Sequence, residues 1–243
     1  MLSKIRLILT EVGGARPSVH WGSMLHGALI RALPEQTATA MHEMRMRPFS
    51  QYVEAISDTA ICWHIGLAGE MTEEIERAIS AITAVQVEGK AMLAVVETHR
   101  EAITEKHFAD RFMSSPQYRH QYTMQIKTPC THKSMGQYAL FPSMELIYHN
   151  LFMRASAMRD LAPLFEPLDA AQFAQRASIE RYALRSAPYF FERTKVVGYT
   201  GSLNLCLHGA EEEKRLAGLL LSLAEYTGIG IKTALGMGGC EVR

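Results

Sequence analysis

The amino-acid sequence predicts an α+β protein built from two tandem ferredoxin-like (βαββαβ) units, and three observations predict it. Short runs of apolar residues alternate with polar ones at a period of two, the mark of half-buried strands. Between them lie longer segments whose apolar residues recur at three and four, as on a helix face. The order strand, helix, strand, strand, helix, strand then occurs twice within 243 residues.

In the first unit, Ile5, Leu7 and Leu9 share one parity, with Lys4, Arg6 and Thr10 on the other, so residues 4–10 are expected as a strand. A loop with Gly13, Gly14 and Pro17 follows. The stretch GSMLHGALIRAL reads as a helix with Ser23 as N-cap and Pro34 as its stop. A second helical piece, EQTATAMHEMRM, ends before Pro48. Phe49 to Val53 and Ile61 to Leu67 read as paired strands joined through Ser57-Asp58. Residues 71–83 have Ile75, Ala78, Ile79 and Ile82 at helical spacing, with acidic residues in the first turn where the helix dipole favours them. Gly89 precedes a last strand, AMLAVVETH.

The second unit starts with a strand through Tyr122, Met124 and Ile126 that ends at Pro129. A short strand, GQYALF, leads into a helix from about Ser143 to Met158. Two strands, ASIERYALRSAPYF and VVGYTGSLNLCLH, come next. Residues 211–226 open on three glutamates and carry a stripe of Leu216, Leu219, Leu220 and Leu223. A glycine-rich loop and a short strand, GGCEVR, close the unit. The boundary is expected at Ser114-Ser115-Pro116, a turn-rich cluster, giving domains of residues 1–115 and 116–243. The duplication rests on element order alone, since the halves share no obvious sequence identity.

Composition limits the function classes. The chain is 48% hydrophobic, ample for a sizeable core, and 25 basic residues balance 25 acidic ones. This balance argues against a nonspecific polyanion binder, though not against a local basic groove. Cys62, Cys130, Cys206 and Cys240 are widely spaced without any C-x-x-C pair, which fits reduced thiols in a cytoplasm better than a zinc site or disulfide framework. No run of about twenty apolar residues is present, and no signal peptide is expected. No metal site and no cofactor are expected.

The segment GIGIKTALGMGG, residues 228–239, holds five glycines and one lysine between a helix and a strand. Glycines permit positive φ and let a ligand approach backbone amides, and Lys232 adds charge. The order helix, loop, strand excludes a Walker A loop and a Rossmann fingerprint. Taken alone, the loop reads equally well as a tight turn.

The pattern G-x-G-x-K-T-x-x-G-x-G, carried by Gly228, Gly230, Lys232, Thr233, Gly236 and Gly238 before a last strand, resembles the C-terminal loop of the CRISPR-associated endoribonucleases that process repeat transcripts. GSMLHGALIRAL, the histidine of ATAMHEM and RPFSQY are similar to that family's N-terminal region. The version accompanying type III-A interference complexes is the most similar. The resemblance implies an endoribonuclease that cleaves CRISPR repeat RNA without a metal, by 2′-hydroxyl attack. The expected products are guide RNAs with 5′-hydroxyl and 2′,3′-cyclic phosphate or 3′-phosphate ends. His42 matches the family's recurrent histidine, and His26 matches a helix position near a tyrosine or second histidine in relatives. Where many relatives carry a lysine, this chain has Arg45 and Arg47, and Arg47 is the candidate charge stabiliser. The glycine-loop residues are candidate RNA contacts.

Histidine suits both proton roles of such a cleavage, because its ordinary pKa lies near 6.5. Among the basic residues, Lys127, His132 and Lys133 cluster at the start of the second unit. Arg176, Arg181, Arg185, Arg193 and Lys195 follow a strand pair, and Arg181 and Arg185 share a parity that could face RNA. The expected partners are CRISPR repeat RNA and, transiently, a type III interference complex, with no membrane, for a monomer or homodimer. One rival is a noncatalytic guide-RNA-binding subunit of the same superfamily. Another is a small-molecule enzyme that uses the loop for a nucleotide phosphate.

Overall fold

The computed structural model describes residues 1–44, 46–87, 89–115, 119–166, 168–191 and 193–243. The chain starts with β1 (Leu2–Glu11), whose odd-numbered Ile5, Leu7 and Leu9 are buried as their parity requires. A 3-10 turn (Val19–Trp21), capped by the Ser18 hydroxyl, runs straight into α1 (Gly22–Ala32). The structure therefore corrects the expected cap. Ser23 lies inside the helix and Trp21 stands at the N-cap position. The helix α2 (Glu35–Glu43) then leads to β2 (Phe49–Ala55), β3 (Ala60–Ala68) and α3 (Thr72–Ser80). Strands β4 (Ala84–Val87) and β5 (Ala91–Ile103) follow, and α4 (Glu105–Met113) comes next.

The sheet of this half runs β2-β3-β1-β5-β4, with every pairing antiparallel. Without β4 that is the ferredoxin-like order. Sequence reading did not find β4 or α4. Four residues, eBeB in burial, give too short an alternation to stand out. The helix α4 lay hidden because Phe108 and Ala109 supply only a narrow buried stripe.

The second half consists of β6 (Gln121–Cys130), a ribbon of β7 (His132–Ser134) and β8 (Gln137–Ala139), α5 (Met144–Ala155), α6 (Ala162–Phe165) and α7 (Ala170–Ala174). The long hairpin β9 (Ala177–Phe190) and β10 (Lys195–Leu207), then α8 (Glu211–Thr227) and β11 (Cys240–Val242), complete it. Its sheet order, β11-β6-β10-β9, is again ferredoxin-like and antiparallel. The expected strand GQYALF is shorter than read, and it pairs with β7 outside the main sheet. Of the expected boundary, Ser114 and Ser115 follow α4 and Pro116 lies outside the described residues.

Two large apolar clusters and a small third one, of Tyr189, Val196 and Met237, form the core among the described residues. Of the large ones, the first gathers Leu7, Trp63, Ile75 and Leu93 under α1 and α3, and the second gathers Met124, Tyr148, Leu151 and Leu203 under α5 and α8. Leu216, Leu219, Leu220 and Leu223 of α8 are buried as their spacing requires, each contributing about 1.5–3 kcal/mol. One residue crosses over: Ala234, from the glycine loop of the second half, belongs to the first half's cluster.

Candidate active site

The first wall of the site comes from α1 and α2. Leu25 and Leu29 anchor α1 in the core, which leaves His26 at the margin, stacked on Phe49 with ring centroids 5.5 Å apart. Its Nδ1 is buried without a hydrogen-bond partner among the described residues. Burial depresses the His26 pKa below the ordinary 6.5, the charges of Arg47 and His42 push it the same way, and the Ala234 backbone opposes them. Burial therefore favours the neutral form of the His26 imidazole. His42 is exposed in the last turn of α2. Arg47 folds back on that helix end, donating to the carbonyl oxygens of Met41 and Met44, the latter at 3.0 Å. Its guanidinium so satisfies carbonyls left open by the helix terminus. Arg45 lies outside the described residues.

The opposite wall is the glycine loop. A 3-10 turn at Thr233–Leu235 projects from it onto the N-terminus of α1. Gln51 on β2 holds this contact. Its amide nitrogen donates to Gly22 O at 2.9 Å and Ala234 O at 2.6 Å, and its oxygen accepts from the Trp63 indole at 2.5 Å. These groups are all buried, so the network is strong and its loss costly.

The glycines serve a role other than the one expected. Gly228 N donates to Ala224 O, Gly230 N to Asn150 Oδ1, Gly236 N to Thr233 O and Gly238 N to Pro129 O. Those amides are engaged within the protein, and all four glycines are buried. Their φ angles of 62°, 78°, 107° and 65° are positive, so here they shape the loop instead of offering amides to phosphate. Lys232 is the exposed residue of the loop, itself at φ 57°, with its ammonium 5.1 Å from the Phe191 ring centroid. Thr233 is buried, and its hydroxyl accepts from Arg154 on α5 at 2.9 Å.

A cleft of about 650 Å³ opens beside these walls. It is lined by Arg47 and Phe49 from the first half, and by Arg154, Met158 and Thr227 from the second. A second cleft, of about 1100 Å³, lies between the halves near the hairpin and is lined by His20, Lys127, Arg185 and Phe190. Arg181 and Arg185 are exposed on β9 and form no ion pair among the described residues, and Arg185 alone reaches this cleft. His20 packs edge-on against Tyr189 and Phe190, with centroids at 5.3 and 5.1 Å.

The expected basic cluster at the start of the second half does not form. Lys127 pairs with Glu54 at 3.0 Å and Glu241 at 3.1 Å. Burial drives the His132 pKa down to about 4, leaving it neutral beside Tyr199. Among the described residues no group of three or more His, Cys, Asp or Glu could hold a metal ion.

So the structure gathers His26, His42, Arg47 and the glycine loop, and sets Arg181 apart. Sequence reasoning missed Arg154, Gln51 and His20. A lone arginine inside the apolar run LIYHNLFMRA was the one available signal.

One expected result follows from the charges around His26. If cleavage requires its neutral form, activity falls as pH drops through a pKa below 6.5. Arg47→Ala removes a positive charge that depresses that pKa, so the acid limb of the rate profile moves to higher pH. A limb unmoved in the variant would uncouple the two residues.

Comparison with known proteins finds likenesses to one family. The description of the CRISPR-associated endoribonuclease Cas6 family matches residues 124–240. A CRISPR-associated endoribonuclease Cas6 of Mycobacterium tuberculosis is 27% identical over 226 residues, covering 91% of this chain and 71% of its own. That of Streptococcus thermophilus is 23% identical, covering 98% and 97%. A solved Cas6 product complex superposes with a TM-score of 0.79 at 17% identity, over 100% of both chains. A Thermus thermophilus Cas6 gives 0.71 at 20%, over 100% and 98%. Among the described residues no helix is long and apolar enough to cross a membrane. With the twin ferredoxin-like sheets, the glycine loop and these likenesses together, the chain is similar along its whole length to the CRISPR-associated Cas6 endoribonucleases.

Proposed function

We propose that this endoribonuclease cleaves CRISPR repeat RNA without a metal, by attack of a ribose 2′-hydroxyl on the adjacent phosphorus. The observation that carries the reading is geometric: His26, stacked on Phe49, sits on the helix α1 that meets the glycine-loop turn at Thr233–Leu235, within reach of the charges of Arg47 and His42. His26, held neutral by burial, takes the 2′-hydroxyl proton. The 2′-oxygen bonds to phosphorus while the bond from phosphorus to the 5′-oxygen breaks. His42, exposed at the end of α2, gives the leaving oxygen its proton. Arg47 stabilises the charge that develops on the nonbridging oxygens. The products are a 5′-hydroxyl and a 2′,3′-cyclic phosphate, which hydrolysis turns into a 3′-phosphate.

In this reading residues 1–115 form the unit that bears the proton-transfer groups, and residues 116–243 the unit that bears the RNA-holding loop and hairpin. Lys232 and Arg185 flank the path of the strand, with Arg181 further along β9, and Thr233 acts through its partner Arg154. Gly228, Gly230, Gly236 and Gly238 keep the loop in shape beside the RNA. The enzyme works in the cytoplasm as a monomer or homodimer, and its guide RNA passes to a type III interference complex.

The test is incubation with the repeat RNA of its own array in excess chelator, with mapping of the product ends. Cleavage at one position leaving a cyclic phosphate or 3′-phosphate is expected. RNA bound but uncut would return the chain to a noncatalytic guide-binding role. Cleavage that needs a divalent ion would remove the histidine mechanism.

A further inference from the structure

Arg154 stands out among the charged residues. It lies in the last turn of α5, on the buried face that also carries Ile147, Tyr148 and Leu151, with only 8% of its surface exposed. Buried arginines are ordinarily matched by a carboxylate. Among the described residues Arg154 has no ion pair. Its Nε donates to Asn150 Oδ1 at 3.4 Å and one terminal nitrogen to the Thr233 hydroxyl at 2.9 Å, both neutral acceptors. The other groups whose charge it feels are the thiols Cys130 and Cys240 and the imidazole of His132, all uncharged at pH 7. Burial lowers even its own pKa, to about 10. A full positive charge is therefore kept in an apolar setting with no anion to offset it.

The side chain is not sealed in. Arg154 lines the 650 Å³ cleft together with Arg47, and the walls between them are largely apolar, with Met44, Met46, Met71 and Met158. Glu70 is the one acidic residue of the lining, and it is exposed. None of Arg154's nitrogens is both buried and without a partner, so the guanidinium donors not held by Asn150 and Thr233 open onto this space. An unpaired guanidinium at the floor of an apolar cleft, with a second arginine on the wall, suits a phosphate group. Low dielectric strengthens the attraction, and the planar fork can grip two oxygens.

We propose that Arg154 binds a backbone phosphate of the substrate RNA, one held in the cleft between Arg47 and the base of the glycine loop. The missing anion of the free protein is then supplied by the substrate. The bond to Thr233 ties this phosphate site to the loop, so that filling it also fixes the wall facing His26. The proposal rests on the endoribonuclease reading above and deepens it with a positioning residue contributed by the second half.

The experiment compares the parent protein with Arg154→Gln and Arg154→Lys. The probe is a repeat RNA made uncleavable by 2′-deoxy substitution at the mapped cut site, with binding followed over a range of salt. Removing one phosphate contact should weaken binding about tenfold to a hundredfold, and should reduce the slope of log affinity against log salt by roughly 0.7. Thermal melting of the free Arg154→Gln variant should be unchanged or raised, because no ion pair is lost and an uncompensated charge is removed. Arg154→Lys should keep the slope but lose affinity, since the charge stays and the fork is gone. An unchanged slope and affinity in a folded Arg154→Gln overturns the proposal, as does a lowered melting temperature with binding intact, which would make the residue a strut for Thr233. If Arg154→Gln does not fold, Arg154→Lys decides, and undiminished affinity there overturns the proposal. A parent protein that neither binds nor cuts repeat RNA would instead overturn the endoribonuclease reading.

Discussion

Replacing His26 or His42 by alanine is expected to slow repeat-RNA cleavage by about two to four orders of magnitude, the usual worth of a positioned proton-transfer group. RNA affinity should stay within a few-fold of the parent, because proton transfer stabilises the transition state and not the bound RNA. Single-turnover rates, with enzyme in excess over RNA, separate the chemical step from product release. The two variants should also differ in their pH profiles. His26 is the group whose neutral form is favoured by burial. Loss of His26 therefore removes the acid limb, while loss of His42 leaves that limb in place. The double variant should be less than multiplicatively worse, as expected for residues acting in one step. Cleavage at the parent rate in either single variant would take that histidine out of the mechanism. The effect is large because a 2′-hydroxyl is a poor nucleophile until its proton has somewhere to go.

The second large effect is on the loop. Gly238→Ala should lower stability by about 3 kcal/mol or more, from a residue forced to positive φ and from a clash that the packed loop cannot relieve. Gly238 has φ 65°, and a β-carbon there would drive into the carbonyl oxygen of Ile229. That carbonyl is backbone and accepts from Cys130 Sγ at 3.5 Å, while Ile229 N donates to Gly238 O at 3.0 Å, so the segment is held in place. For a domain of this size such a loss is a fall of roughly 6–12 °C in Tm. Cleavage should fall with it, since the loop seats Ala234 against the first half. Gly14→Ala is the control. Gly14 also has positive φ, at 91°, but an added β-carbon would meet nothing within 4 Å. That variant should lose only about 1–2 kcal/mol and keep its activity. Equal melting curves for the two variants would show that close packing of the loop is unimportant.

Much of the fold was legible because its signals are local. The parity of Ile5, Leu7 and Leu9, and the stripe of Leu216, Leu219, Leu220 and Leu223, are fixed by strand and helix periods. Both appear in the structure as read. The site was legible in part, since the histidine helices and the glycine loop could be found and joined through a family resemblance. What escaped is what depends on long-range pairing. Nothing local says that Gln51 donates to a carbonyl 183 residues away, or that Lys127 meets Glu54 across the two sheets. The glycine amides could be read as free donors until the carbonyls of Ala224, Thr233 and Pro129 were seen against them. Arg154 looked like an ordinary helix residue, because a sequence shows a charge but not the absence of a countercharge.

The bridge through Gln51 also sets a timetable for the protein's birth. Its partners are Gly22, Trp63 and Ala234, so one buried amide waits for a carbonyl made very late in synthesis. A chain cut before residue 234 should therefore leave the Gln51 amide without that acceptor and the face of α1 without its opposite wall.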